Sequence, residues 1–330
     1  MKKIVLCAAV SAICAVPVTA MAEADFYGQL RISLDSVDAD NAAAAKDGLT
    51  VTDNTSVFGF KAMSEGDGVK AFIHLQAGAK ADGNDAADAA FTKRFYFGGL
   101  KGDFGQVAYG LMSSAYKMPG FKMDPFYNHS SVNVSGSVVN GAGGTYGLSP
   151  VNNLFTDNAL QYTSPAMGGL TLNIGLYVDD SEADEHGTGF GAAYKSGNIS
   201  AGVQYASNGD NATIKNLNAD STAIRVHGGY KADGWSAAIS AEQVEKSSTT
   251  DDTYLFLVGK ANISDSLEAA VTLGSVSGDT TAIEGTGITA GVFKTVAKKT
   301  QVFGSLSTVS LDDDTQAEPS VFSVGVIHKF

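Results

Sequence analysis

What most constrains this chain is an alternation of apolar and polar side chains in stretches of about ten residues, recurring from Asp25 to the terminal Phe330. Neighbours on an extended strand point to opposite faces, so each stretch makes a strand with one apolar and one polar side. In Asp25 to Leu34 the apolar set is Phe26, Gly28, Leu30, Ile32 and Leu34, and the polar set is Tyr27, Gln29, Arg31 and Ser33. The closing stretch, Ser320 to Phe330, puts Phe322, Val324, Val326, His328 and Phe330 on one face and ends on the phenylalanine itself. An apolar strand left at a sheet edge invites aggregation. Pairing it with the first strand removes the edge, and the apolar face can then turn to lipid.

The same pattern gives further strands at Val51 to Met63, Val69 to Gly78, Phe91 to Lys101, Gln106 to Leu111, Asn158 to Thr163 and Leu170 to Val178. It continues through Gly189 to Lys195, Ile199 to Ser207, Ala223 to Lys231, Trp235 to Val244, Thr253 to Asn262, Leu267 to Ser277, Ile288 to Lys294 and Thr300 to Ser310. The count is about 16, an even number in the range of bacterial transmembrane barrels. Connectors alternate between short ones, such as Ser196-Gly197-Asn198 and Ala232-Asp233-Gly234, and longer acid-rich ones, such as Asp179 to His186 and Asp312 to Asp314. A β-sandwich gives no reason for that alternation, whereas a barrel inserted from the periplasm does. Tyr230 and Trp235 flank one short turn, as interfacial aromatics would. The expectation is an all-β protein, a transmembrane antiparallel β-barrel. Met112 to about Thr156 lacks the pattern, and a break of that length in a compact fold points to a functional loop.

At the amino terminus Lys2 and Lys3 precede an apolar run from Ile4 to Val16, and Ala20-Met21-Ala22 offers small residues to a signal peptidase. Residues 1–22 are therefore expected to be a signal peptide cleaved between Ala22 and Glu23, leaving 23–330 as one barrel domain. Cys7 and Cys14 both lie in that peptide, so the exported chain would carry no thiol chemistry. The formal net charge of −13 becomes more negative once Lys2 and Lys3 are lost, which argues against nucleic acid as a partner.

The five histidines, His74, His129, His186, His227 and His328, lack metal-ligand spacing. Gly285-x-Gly287-x-x-Ala290 opens a strand-like run without a βαβ context, and Gly274-Ser275-Val276-Ser277-Gly278 has valine where a nucleophile elbow needs serine. No cofactor and no catalytic set are expected. The acids from Asp179 to Glu185 are either a solvated loop or a divalent-cation bridge to lipopolysaccharide phosphates.

Several segments resemble the trimeric general porins of Gram-negative bacteria across nearly the whole exported chain. They are Phe26-Tyr27-Gly28, Phe58-Gly59-Phe60-Lys61, Gly99-Leu100-Lys101-Gly102-Asp103-Phe104-Gly105, Gln161-Tyr162-Thr163-Ser164-Pro165 with Gly168-Gly169-Leu170, and the Val-Gly-Val-Ile-His-Lys-Phe ending. The resemblance implies an outer-membrane channel for passive diffusion of ions and small hydrophilic solutes, assembled as a homotrimer in lipid and lipopolysaccharide. It also implies that Phe330 is read by the barrel-assembly machinery, and that the third outer loop folds into the lumen and narrows it. Of the family's wall arginines Arg94 matches. Val57, Leu111 and Phe155 stand where others would be, and Gly120 replaces a loop acid. The constriction is therefore expected to be less polarised than is usual in the family.

Strand phasing sends Arg31, Lys70, Arg94 with Tyr96, and Arg225 inward, and Lys117, Lys122 and Asp124 are the charged residues of the loop. With acidic outer loops opposing these local cations, a weak cation preference is expected. A substrate-selective channel, an adhesin and an outer-membrane barrel enzyme are the alternatives. The enzyme would need a converging Ser/His/Asp or Asp/His set at the outer rim.

Overall fold

The computed structural model describes residues 23–38, 40, 47–81, 91–129, 145–153, 155–181, 185–247, 250–279 and 283–330. Ala22 lies outside the described residues, as does the rest of the segment expected to be a signal peptide. The strands are β1 (Glu23–Asp38), β2 (Gly48–Asp53), β3 (Val57–Glu65), β4 (Val69–Ala79), β5 (Phe91–Gly102), β6 (Gly105–Met112), β7 (Thr156–Thr163), β8 (Leu170–Tyr177) and β9 (Gly187–Ser196). They continue as β10 (Ile199–Ser207), β11 (Thr222–Ala232), β12 (Trp235–Ser247), β13 (Thr250–Ser264), β14 (Leu267–Gly278), β15 (Gly285–Ala297), β16 (Thr300–Leu311) and β17 (Ser320–Lys329).

Apart from β2 and β3, which both pair with β1, each strand pairs antiparallel with its sequence neighbours, and β17 returns to β1 in a register running from Gln29↔Lys329 to Asp38↔Ser320. No edge is left, and the result is the expected closed barrel of 16 strands. The seventeenth segment arises because one strand is broken. β2 pairs with the outer half of β1 and β3 with the inner half. Between them the Asn54 amide donates to the Arg31 carbonyl at 2.9 Å, and Thr55 takes a φ of +70°. Alternation predicted one continuous strand from Val51 to Met63, and the break at Asn54-Thr55-Ser56 corrects it.

The alternation has the predicted sense. Leu273 is 46% exposed and Thr272, its neighbour, 0%; Val324 is 44% exposed and Ser323 0%. Ile239, Leu255, Leu257, Ile288 and Leu306 are exposed likewise, so a band of aliphatic side chains faces outward around the barrel. In water such a surface would drive association, whereas in lipid it is the stable arrangement. Trp235 and Tyr230 stack beside the short β11–β12 turn with ring centroids 5.6 Å apart.

At the closing seam the Phe330 amide donates to the Gly28 carbonyl at 3.1 Å. Its ring lies where a side chain on residue 28 would project, so the two residues fit only because one is glycine.

A candidate pore constriction built by the third outer loop

The connection from β6 to β7 turns into the barrel, as its length suggested. Its described part contains a short helix, α1 (Lys117–Met123), and a 3₁₀ turn at Pro150–Asn152. Among the contacts that hold it across the lumen, three stand out. On β11 and β12, Arg225 and Glu242 are fully buried beneath it as an ion pair at 2.9 Å. The Arg225 guanidinium also donates to the Tyr116 carbonyl at 2.8 Å and to the Asn152 side chain. Glu242 accepts from the hydroxyls of Tyr116 and Ser149 at 2.8 and 2.5 Å and from the Asn152 amide at 3.1 Å. A buried charge pair costs more in desolvation than it returns unless its remaining hydrogen-bonding groups are filled, and here loop groups fill all those of the pair but Arg225 Nε.

The second contact is apolar. Phe126 and His129 pack on the rings of Phe293 (β15) and Phe303 (β16), with His129 4.6 Å from Phe303. Burial, with Arg31 nearby, pushes the His129 imidazole down to about 3, so it is neutral at any ordinary pH. Beside this contact the backbone at Tyr146 and Gly147 lies flat on β14 and β15, and a Cβ on Gly274 or Gly287 would collide with Tyr146. Glycine is needed there for a close approach of two backbones, which accounts for the two glycine motifs that resembled catalytic signatures.

The third contact is on β1, where the Arg31 guanidinium donates to the carbonyls of Tyr127 and Asn128 at 3.0 and 3.2 Å. Within the loop Asp124 acts as a staple. Its carboxylate accepts from the Phe126 amide at 2.8 Å and from the Thr145 amide and hydroxyl at 3.0 and 2.6 Å. Burial raises its carboxyl above the usual range, and these hydrogen bonds oppose the rise.

What stays open is a narrow passage between the loop and the β1–β5 wall. Its lining includes Tyr27, Gln29, Arg31, Thr55, Gln76, Arg94, Phe95, Lys117, Phe121, Phe155 and Lys329. A hydrogen-bonded relay fixes Arg94. Its Nε donates to Gln76 Oε1 at 3.0 Å, the Gln76 amide donates to the Tyr27 hydroxyl at 2.8 Å, and that hydroxyl meets His74 Nε2 at 2.5 Å. Arg94 and Lys117 both lie over the Phe155 ring, at 4.8 and 4.2 Å from its centroid. Burial and then repulsion from Arg94 push the Lys117 ammonium down to about 7.

A wider cavity lies toward the β7–β13 wall, lined among others by Met118, Lys122, Gln161, Gln204, His227, Lys231 and Lys260. Among the described residues lining either space there is no Asp or Glu side chain. Asp53 is near enough to act electrostatically on Arg31 and Arg94, but its carboxylate accepts from the Ser56 amide at 3.1 Å.

The structure thus brings together Arg31, Arg94 and Lys117 of the residues expected at the constriction, and leaves Lys122 exposed on the wider cavity. Four expectations are corrected. Tyr96 faces outward, 44% exposed and paired with Leu75 and Leu111, because a β-bulge makes Arg94 an extra residue between Lys93 and Phe95. Arg225 points inward but is sealed beneath the loop. Asp124 serves the loop interior. Lys70 sits by the short β3–β4 turn, bonded to Glu65 at 3.0 Å and well away from the narrow section.

Strand phasing turns Gln76 inward, but its role, Glu242 and the role of Phe155 were not found from the sequence. For Glu242 a signal existed: it is the sole acid at an inward position of β12. Of the outer-loop acids, Glu182 and Asp184 lie outside the described residues. Glu185, Asp210 and Asp220 approach one another within 4.8 Å at the exposed rim.

A family model described as Gram-negative porin matches residues 9–314. The chain is 25% identical to major outer membrane protein P.IB of Neisseria meningitidis serogroup B over 238 residues, 69% of this chain and 67% of that protein. An anion-selective porin from Comamonas acidovorans has the same fold, with a TM-score of 0.76 and 20% identity over 94% of this chain and 100% of that one. A trimer form of the outer membrane protein OmpT of Vibrio cholerae matches with a TM-score of 0.68 and 17% identity, over 94% and 99% of the two chains.

Proposed function

The chain belongs to the Gram-negative porin family of outer-membrane channels, and on that premise we propose that its narrow passage favours small anions. The observation that carries this is the sign of the charges around the two spaces. Arg31, Arg94, Lys117 and Lys329 line the narrow one, and Lys122, Lys231 and Lys260 the wider one, Lys260 being paired with Glu268 at 3.9 Å, and no Asp or Glu side chain is among the described lining residues. Residues 130–144, the part of the loop outside the described residues, contain no ionisable side chain in the sequence.

The weak cation preference expected from net charge rests on acids at the outer rim, such as Asp210 and Asp220. At physiological salt their field falls off within about 8–10 Å, whereas charges in a confined, low-dielectric passage act on every ion that enters. The anion selectivity of the Comamonas acidovorans porin supports the same reading. The constriction is polarised little across its width, because fixed cations on the barrel wall face a loop without an exposed acid. The trimer form of OmpT supports assembly as a homotrimer. The proposal includes removal of residues 1–22 on export, lipid and lipopolysaccharide around the apolar band, and recognition of Phe330 by the assembly machinery.

The test is the zero-current potential of single channels in a KCl gradient. Its sign should report chloride as the faster ion, and Arg94→Ala should move it toward potassium. A potassium-selective native channel would restore the cation reading.

A further inference from the structure

Inward-facing aromatic side chains fall into two groups in this barrel, and only one group is covered. Tyr254 and Phe256 on β13, Phe293 on β15 and Phe303 on β16 are at most 5% exposed, because the loop packs on them. Tyr27 on β1, Phe72 and His74 on β4, Phe95 and Phe97 on β5 and Phe155 at the loop's end are half-exposed to the lumen. These six rings form one connected column. Phe155 meets Phe95 at 4.9 Å, Phe95 meets His74 and Phe97 at 4.9 and 5.7 Å, and Phe97 meets Phe72 at 6.2 Å. Tyr27 flanks His74 at 5.8 Å.

On β4 the step from Gln76 to Phe72 is four residues, so the column runs about 13 Å from the narrow section toward the short-turn mouth. Elsewhere the open lumen is lined by Gln161, Thr163, Asn173, Ser200 and Ser236, so a water-filled space does not demand rings. Lipid does not demand them either, since they face away from it.

Cations accompany the column along its length. Arg94 and Lys117 sit on Phe155, Lys61 lies 4.8 Å from the Tyr27 centroid, and Lys101 lies 5.9 Å from that of Phe72. A chloride ion or an acetate can use only the cations. A solute with a carboxylate and a flat apolar body can use both, placing its charge on Arg94, with the nearly buried Lys117 behind it, while its ring stacks on Phe95, His74 and Phe97. It can then descend from ring to ring without leaving a cation behind.

We propose that the β4–β5 wall is a low-affinity binding track for aromatic carboxylates, which the channel passes as saturable substrates rather than at the rate of free diffusion. The proposal rests on the anion reading above and adds the solute class to it.

The experiment uses the intact protein in planar bilayers carrying a KCl current, with benzoate, cyclohexanecarboxylate and acetate added in turn. Benzoate should interrupt the current in a saturable way, at about tenfold lower concentration than cyclohexanecarboxylate, while acetate should not interrupt it. The double variant Phe72→Leu/Phe97→Leu, outside the narrow section, should weaken the benzoate effect about tenfold and leave KCl conductance and zero-current potential unchanged, which also shows that the variant is folded. An anion-selective channel in which benzoate behaves like acetate overturns the track and leaves the anion reading standing. Loss of KCl conductance in the double variant passes the test to Phe155→Leu, in which an unchanged benzoate effect overturns the track. A potassium-selective native channel overturns the anion reading on which the track depends.

Discussion

Arg94 and Arg225 both point inward from neighbouring thirds of the same wall, yet one lines the passage and the other supports the structure. Arg225 has Glu242 beside it and the loop above it, so its charge is neutralised and sealed from water. Arg94 has the neutral Gln76 amide and the Phe155 ring, so its charge remains available to the lumen. Inward direction selects polar chemistry, and the loop then decides which of those polar groups meet the solute.

The largest effect should come from the covered side. Glu242→Gln leaves Arg225 buried without a counter-charge, which should destabilise the loop's attachment by about 3–5 kcal/mol. Thermal unfolding should shift down, and single-channel records should become noisy as the loop detaches. Quiet channels of native conductance would place the loop's support in its other two contacts. A smaller effect should appear at Lys117, whose ammonium titrates at about 7. Being a base, it is charged below that pH and neutral above it, so anion preference should fall as pH rises from about 6 to 8. Lys117→Met should remove the step, as measured by zero-current potential across the range. The smallest effect belongs to the outer face: Tyr96→Leu should leave conductance and selectivity unchanged, and any change would return that residue to the lumen.

The barrel was legible because its signal is local and repeated. Each alternating segment declares both a strand and its two faces, and all 16 expected strands have counterparts. Where that signal failed, the cause was a local irregularity in the pairing. One extra residue at Arg94 reverses the phase of β5, which is why Tyr96 was sent to the wrong side. The turn at Asn54-Thr55-Ser56 splits a strand that composition makes look continuous.

The site was less legible because its partnerships span long stretches of chain. Nothing near Arg225 in sequence reveals that the Tyr116 carbonyl will cover it, and Asp124 reads as an exposed loop acid until Thr145 is folded against it. The arginine match at Arg94 was visible. The use of Phe155, in a position that looked like the loss of an arginine, was visible only once Lys117 as well as Arg94 lay over its ring.

The attachment of the loop at Arg31 on one side and at Arg225 and Glu242 on the other has a mechanical consequence for the whole cylinder. A wide ring of strands is compliant and would flatten under lateral pressure from a crowded bilayer. A member tied to opposing points of its circumference works as a cross-brace, resisting both squeezing and spreading. The bore beside that brace is thereby set by the protein's own bonds and insulated from the tension of the surrounding membrane.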